Sequence, residues 1–191
     1  MKMKQNLLLA GVLLIATAFK SVADEPTALD LARRGNQYVG VQSRDKVVQI
    51  RSEKSISSLT PNIWYVVYYD PDATFKAVEV KFGGGQELEV THPWRVLEMT
   101  GDDHHVLDGA KLKVDSDQAI RIAKSQPVLA NVKLDATQLW LEHGDNGPQW
   151  RVKFWAARLR NHNEATYIGS VILSTVDGAV FKADLHPNRV D

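Results

Sequence analysis

Five side chains in one stretch, Asp102-Asp103-His104-His105 and Asp108, are the clearest concentration of metal-ligand chemistry in the chain. Carboxylate and imidazole groups both suit zinc or a similar ion. Adjacent residues seldom converge on one ion, however, and no His-Glu-x-x-His or EF-hand spacing provides a second anchor. The stretch reads as a solvated acidic loop, and neither a metal ligand nor a cofactor is assigned.

Other routes to chemistry close in turn. The absence of cysteine rules out thiolate nucleophiles, lipid attachment at a cysteine and disulfides. No Gly-x-Ser-x-Gly elbow is present. Gly83 to Gly85 could approach a phosphate, but no Lys-Ser or Lys-Thr follows and no helix is expected to begin there, so the run reads as a hairpin turn. The carboxylates are scattered through turns and strand edges rather than gathered near apolar positions that would shift their pKa values. The reading is of a protein that is not an enzyme.

The aromatic residues are more informative. Trp64 and Trp150 each begin an alternating apolar run, which is where a large side chain would anchor a helix to a sheet. Tyr65, Tyr69 and Trp155 fall on the opposite phase of those runs, because successive strand side chains point to opposite faces. Either this second face takes a protein partner, or the rest of the chain or a dimer mate covers it. Tyr65, Tyr69 and Trp155 are therefore the candidate partner-binding residues.

The elements that must position these side chains begin after an export signal. Lys2 and Lys4 precede an apolar run from Leu7 to Phe19, and Ser21-Val22-Ala23 has the small residues of a cleavage site. The apolar run falls short of the ~20 residues that span a bilayer, so no stable membrane anchor is expected once residues 1–23 are removed. The expected location is periplasmic or secreted, and the lack of cysteine suits an oxidising compartment. Of the 191 residues, 168 would remain, and with Lys2, Lys4 and Lys20 gone, 20 basic side chains face 23 acidic ones. A net charge near −3 argues against nucleic acid as a partner.

The mature chain reads as an approximate repeat of a short helix followed by an antiparallel meander. In the second copy Asp115 is an N-cap with Gln118 three residues on, and the helix is predicted from Ser116, with Ala119, Ile122 and Ala123 as its buried stripe and Pro127 beyond its end. Strands are predicted at Gln138 to Glu142, Gln149 to Arg160, Tyr167 to Ser174 and, after the hairpin signal Asp177-Gly178, Ala179 to Ala183. In the first copy Thr27 caps a helix with Ala28, Leu31 and Ala32 as its stripe. Strands then follow at Val47 to Arg51, Tyr65 to Tyr69, Phe75 to Phe82 and Gln86 to Val90. The expected fold class is α+β, as two tandem repeats, each a short helix packed on an antiparallel sheet of three or four strands. The predicted organisation is a signal at 1–23, a divergent first repeat at 24–90, a connector at 91–113 and a second repeat at 114–191.

Four segments of the second copy resemble the PepSY domain pattern: Ser116-Asp117-Gln118-Ala119-Ile120-Arg121-Ile122-Ala123, Pro148-Gln149-Trp150-Arg151-Val152-Lys153-Phe154, Gly169-Ser170-Val171-Ile172-Leu173 and Asp177-Gly178-Ala179-Val180. The resemblance covers residues 112 to 184. It implies an α+β unit without catalytic residues, of the kind found in propeptides of secreted metallopeptidases and in exported bacterial proteins. A tandem of such units is also similar in architecture to secreted β-lactamase-inhibitor proteins, as a fold analogy alone. The expected function is a non-catalytic module that binds, inhibits or escorts an exported protein or enzyme. The alternative is a small-molecule or metal-binding protein, with the ligand between the repeats or at the loop from Asp102 to Asp108.

Overall fold

A computed structural model describes residues 25–93, 106–161 and 164–190. Residues 1–23, the expected export signal, and Trp94, Val96, Leu97 and the Asp102 to His105 run lie outside the described residues.

In chain order the elements are α1 (Ala28–Gly35), β1 (Val47–Ser52), β2 (Ile63–Tyr69), β3 (Ala77–Gly83), β4 (Gln86–Thr91), α2 (Ser116–Lys124), β5 (Leu134–Gly144), β6 (Gly147–Ala157), β7 (Ala165–Ser174) and β8 (Val180–Leu185). Short 3₁₀ turns lie between them. All eight strands form one sheet in the order β4-β3-β2-β1-β5-β6-β7-β8, antiparallel throughout.

This corrects the expected fold class. The described residues form one continuous, sheet-dominated structure with two short helices, not two separate helix-on-sheet repeats. The two halves merge where β1 pairs with β5 through Ile50 opposite Leu141 and Arg51 opposite Trp140. Beyond that short ladder, side chains continue the junction. The Ser52 hydroxyl accepts from the Leu139 N–H at 2.9 Å, and the Ser55 hydroxyl accepts from the Thr137 N–H at 2.8 Å. The Ser55 N–H donates to the Thr137 carbonyl at 2.8 Å, and the Thr137 hydroxyl donates to the Leu59 carbonyl at 2.7 Å. Pairing removes a strand edge that each half would otherwise expose.

Both helices pack on one face of this sheet, and the core lies between them. From the strands it receives Ile50, Trp64, Val66, Val80, Phe82, Leu139, Leu141, Trp150, Val152, Phe154, Val171 and Leu173, and from the helices Ala28, Leu31, Ala119 and Ala123. The small helix residues let the backbone approach the large sheet residues closely. In α2, Ile120 is buried more fully than the predicted stripe residue Ile122, which lies at the core margin beside Gly178.

The helix starts interlock. Asp115 caps α2 by accepting from the Ser116 N–H at 2.6 Å, and the same oxygen accepts from the Leu29 N–H in α1 at 3.1 Å. Its second oxygen accepts from the Thr27 hydroxyl at 2.6 Å. In return the Ser116 hydroxyl accepts from the Ala28 N–H at 3.0 Å. One carboxylate thus sits at the positive ends of both helices and satisfies donors that each would otherwise leave unpaired.

Bulges bend the strands on both sides. At Gly169 φ is +126°, and a Cβ there would fall on the Asp184 carbonyl oxygen of β8. Glycine at that position lets β7 bulge opposite Phe154 and Trp155 while staying against its neighbour.

Candidate functional site: the helix-free face of the sheet

Strand alternation divides the aromatic residues between the two faces. Trp150 is fully buried on the helix side, with its indole N–H donating to the Val114 carbonyl at 2.8 Å. Trp64 is likewise buried, donating to the Pro61 carbonyl at 2.9 Å. Both are core anchors with satisfied polar groups.

The opposite face, helix-free among the described residues, carries a row of side chains that runs straight across the strands. Paired register places Glu89, Lys81, Tyr65, Arg51, Trp140, Arg151, Ile172 and Lys182 opposite one another, one from each strand from β4 to β8. With strands about 4.8 Å apart the row is roughly 34 Å long. From Lys81 onward, cations alternate with flat or apolar side chains.

These neighbours touch. The Arg51 guanidinium lies 4.1 Å from the centre of the Tyr65 ring and the Lys81 ammonium 5.2 Å from it. The Tyr65 hydroxyl donates to Glu53 at 2.6 Å. Burial raises the Tyr65 pKa, and the hydrogen bond to Glu53 raises it further. Arg51 also pairs with Glu79 at 2.6 Å. Burial pushes the Glu79 carboxyl above its usual range while the Arg51 charge opposes that shift. Arg151 pairs with Glu142 at 3.3 Å and Lys81 with Glu53 at 3.8 Å.

Two cations on this face lie over indole rings. The Lys153 ammonium lies 4.0 Å from the Trp140 ring centre, and the Lys54 ammonium 4.9 Å from the Trp155 ring centre. Neither has a carboxylate within ion-pair distance among the described residues. Burial depresses the Lys153 pKa, and the neighbouring Arg151 charge adds to the effect. Trp155 also meets Tyr167, ring centres 5.4 Å apart.

The three candidate residues are thus distributed unevenly. Tyr65 and Trp155 are linked through consecutive residues, since Glu53 holds Tyr65 and Lys54 lies over Trp155. Tyr69 stands apart at the other end of β2. It packs with Val106 against a small second cluster of Val48, Val67 and Ala77, and Lys46 lies 5.6 Å from its ring centre. Sequence reasoning missed Arg51, Lys54, Trp140, Lys153 and Tyr167. Trp140 had a usable signal, because its phase in β5 is opposite to that of Leu139 and Leu141. Lys54 had none until β1 was known to lie beside β5.

On the helix side, Leu29, Ala32, Arg33, Val47, Leu107 and Leu112 line a mostly apolar cavity of about 250 Å³, with Asp45 at its wall. No group of three or more His, Asp or Glu side chains among the described residues could hold a metal ion. Among the same residues, no helix is long and apolar enough to cross a membrane. No protein-family model, curated protein or solved structure matches the chain.

Proposed function

We propose that this is an exported, PepSY-like, non-catalytic module that binds another exported protein through the helix-free face of its sheet, inhibiting or escorting it. The observation that carries this reading is the half-exposed aromatic and cationic row across that face. Tyr65, Trp140, Trp155 and Tyr167 supply ring area that the two helices do not cover. Aromatic residues and arginine are enriched where proteins meet, and they lose little conformational entropy there when neighbours already hold them. Arg51 and Tyr65 are held in this way by Glu79 and Glu53. Residues 1–23 support a periplasmic or secreted location.

The test is affinity capture from a periplasmic extract with protein whose intact mass begins at Asp24. Replacing Tyr65 and Trp155 with Ser is expected to weaken capture of a specific partner by about 1–2 kcal/mol each, with little change in the melting temperature. Equal capture by parent and variants would refute the reading, and so would a collapsed melting temperature with binding retained.

A second reading, small-molecule binding, draws on the cavity beside α1. An apolar wall with one arginine and one aspartate would suit a small amphipathic ligand. Stabilisation of the parent, but not of Ala32→Trp, by such a ligand would favour it.

A further inference from the structure

We infer that the β5-β6-β7 part of the helix-free face docks an extended acidic polypeptide segment, whose carboxylates pair with Lys54 and Lys153 and whose apolar side chains lie against Trp140, Trp155 and Tyr167. The inference rests on the proposed protein-binding role and adds the chemistry of the partner.

Charge pairing on the face selects this occupant. Arg51, Lys81 and Arg151 already have carboxylates, at Glu79, Glu53 and Glu142. Among the described residues Lys54 and Lys153 have none within ion-pair distance, Glu142 acting on Lys153 only from farther away, and each lies over an indole ring. A cation over a ring keeps part of its charge exposed toward an incoming anion, while the ring holds it in position. Burial is the main cause of the depressed Lys153 pKa, with the Arg151 charge adding to it and Glu142 opposing it.

Geometry also favours a chain in extended form. Trp155 lies two residues beyond Lys153 on β6, on the same face, and Trp140 lies opposite Arg151. A side chain pointing to one face of a sheet recurs about every 7 Å along a strand, so cationic and apolar contacts alternate at a spacing that an extended peptide can match. A densely charged polysaccharide fits less well, because Glu53, Glu79 and Glu142 on the same face would repel it.

The probe is a short synthetic peptide alternating Glu with Phe, titrated into the mature protein and followed by tryptophan fluorescence, with a Gln-for-Glu peptide and polygalacturonate as comparison ligands. Preferential binding of the Glu peptide is expected, weakening as salt rises. Lys54→Gln and Lys153→Gln should each lower its affinity about two- to fivefold, the range for partly exposed ion pairs, with unchanged melting temperatures. Equal binding of the Gln peptide, no binding of the Glu peptide, insensitivity to both substitutions, or stronger binding of polygalacturonate would each overturn the inference. If a neutral partner is captured through Tyr65 and Trp155 while the lysine variants behave as the parent, this inference fails and the proposed protein-binding function stands.

Discussion

At the scale of single residues, a side chain's role follows from which side of the sheet its strand phase selects. Trp150 and Lys153 lie three positions apart on β6, and that odd spacing puts one in the core and the other over the half-buried Trp140 indole on the opposite face. Trp150 fills space against α2 and also satisfies the Val114 carbonyl, so truncation removes apolar burial and a hydrogen bond together. Trp150→Ala is expected to lose about 3–5 kcal/mol of stability, measured by urea unfolding. An unfolding midpoint like that of the parent would contradict its place in the core. Tyr68 is a second buried polar aromatic, its hydroxyl donating to the Ala32 carbonyl at 2.6 Å and its pKa raised mainly by burial. It ties α1 to β2 as Trp150 ties the start of α2 to β6.

At the scale of elements, neither helix is long enough to be stable alone. Helices of eight and nine residues lie below the length at which isolated helices persist in water, so packing and capping must hold them. Their alanine-rich faces provide the packing, and the shared cap at Asp115 provides donor satisfaction for both. Asp115→Ala is expected to cost about 1–2 kcal/mol, the range for losing an N-cap, and Asp115→Asn less because an amide oxygen still accepts. Hydrogen exchange distinguishes a shared cap from a local one. Protection should fall at Leu29 in α1, 86 residues from the substitution, as well as at the start of α2. A change confined to α2 would show that the interlock does not contribute.

At the scale of the whole molecule, the continuous sheet makes the halves interdependent. Separate halves would expose the facing edges of β1 and β5, remove the hydrogen bonds that the Ser52 and Ser55 side chains accept across the junction and take Asp115 away from α1. Chains covering 25–113 and 106–190, made separately, are therefore expected to aggregate or to melt without cooperativity, and to recover a cooperative transition when combined. Circular dichroism melts and size-exclusion chromatography read this directly. A monomeric, cooperatively folded half would restore the picture of independent repeats. The same continuity creates the candidate site, because the row from Lys81 to Lys182 crosses the junction between Arg51 and Trp140.

Local pattern alone determined the strand phases, the caps at Thr27 and Asp115 and the burial of Trp64 and Trp150, because period-two alternation and N-cap chemistry act over a few residues. The same pattern placed Tyr65, Tyr69 and Trp155 on one phase, yet it could not separate Tyr69, which packs against the Val48, Val67 and Ala77 cluster, from Tyr65. Only the tertiary structure decided that β1 lies beside β5, that two expected sheets are one, and that Lys54 and Lys153 come to rest on Trp155 and Trp140. An exposed strand edge carries no mark of its partner: backbone donors and acceptors are the same in every residue but proline. The pairing is instead chosen by how the helices and both sets of core residues close together.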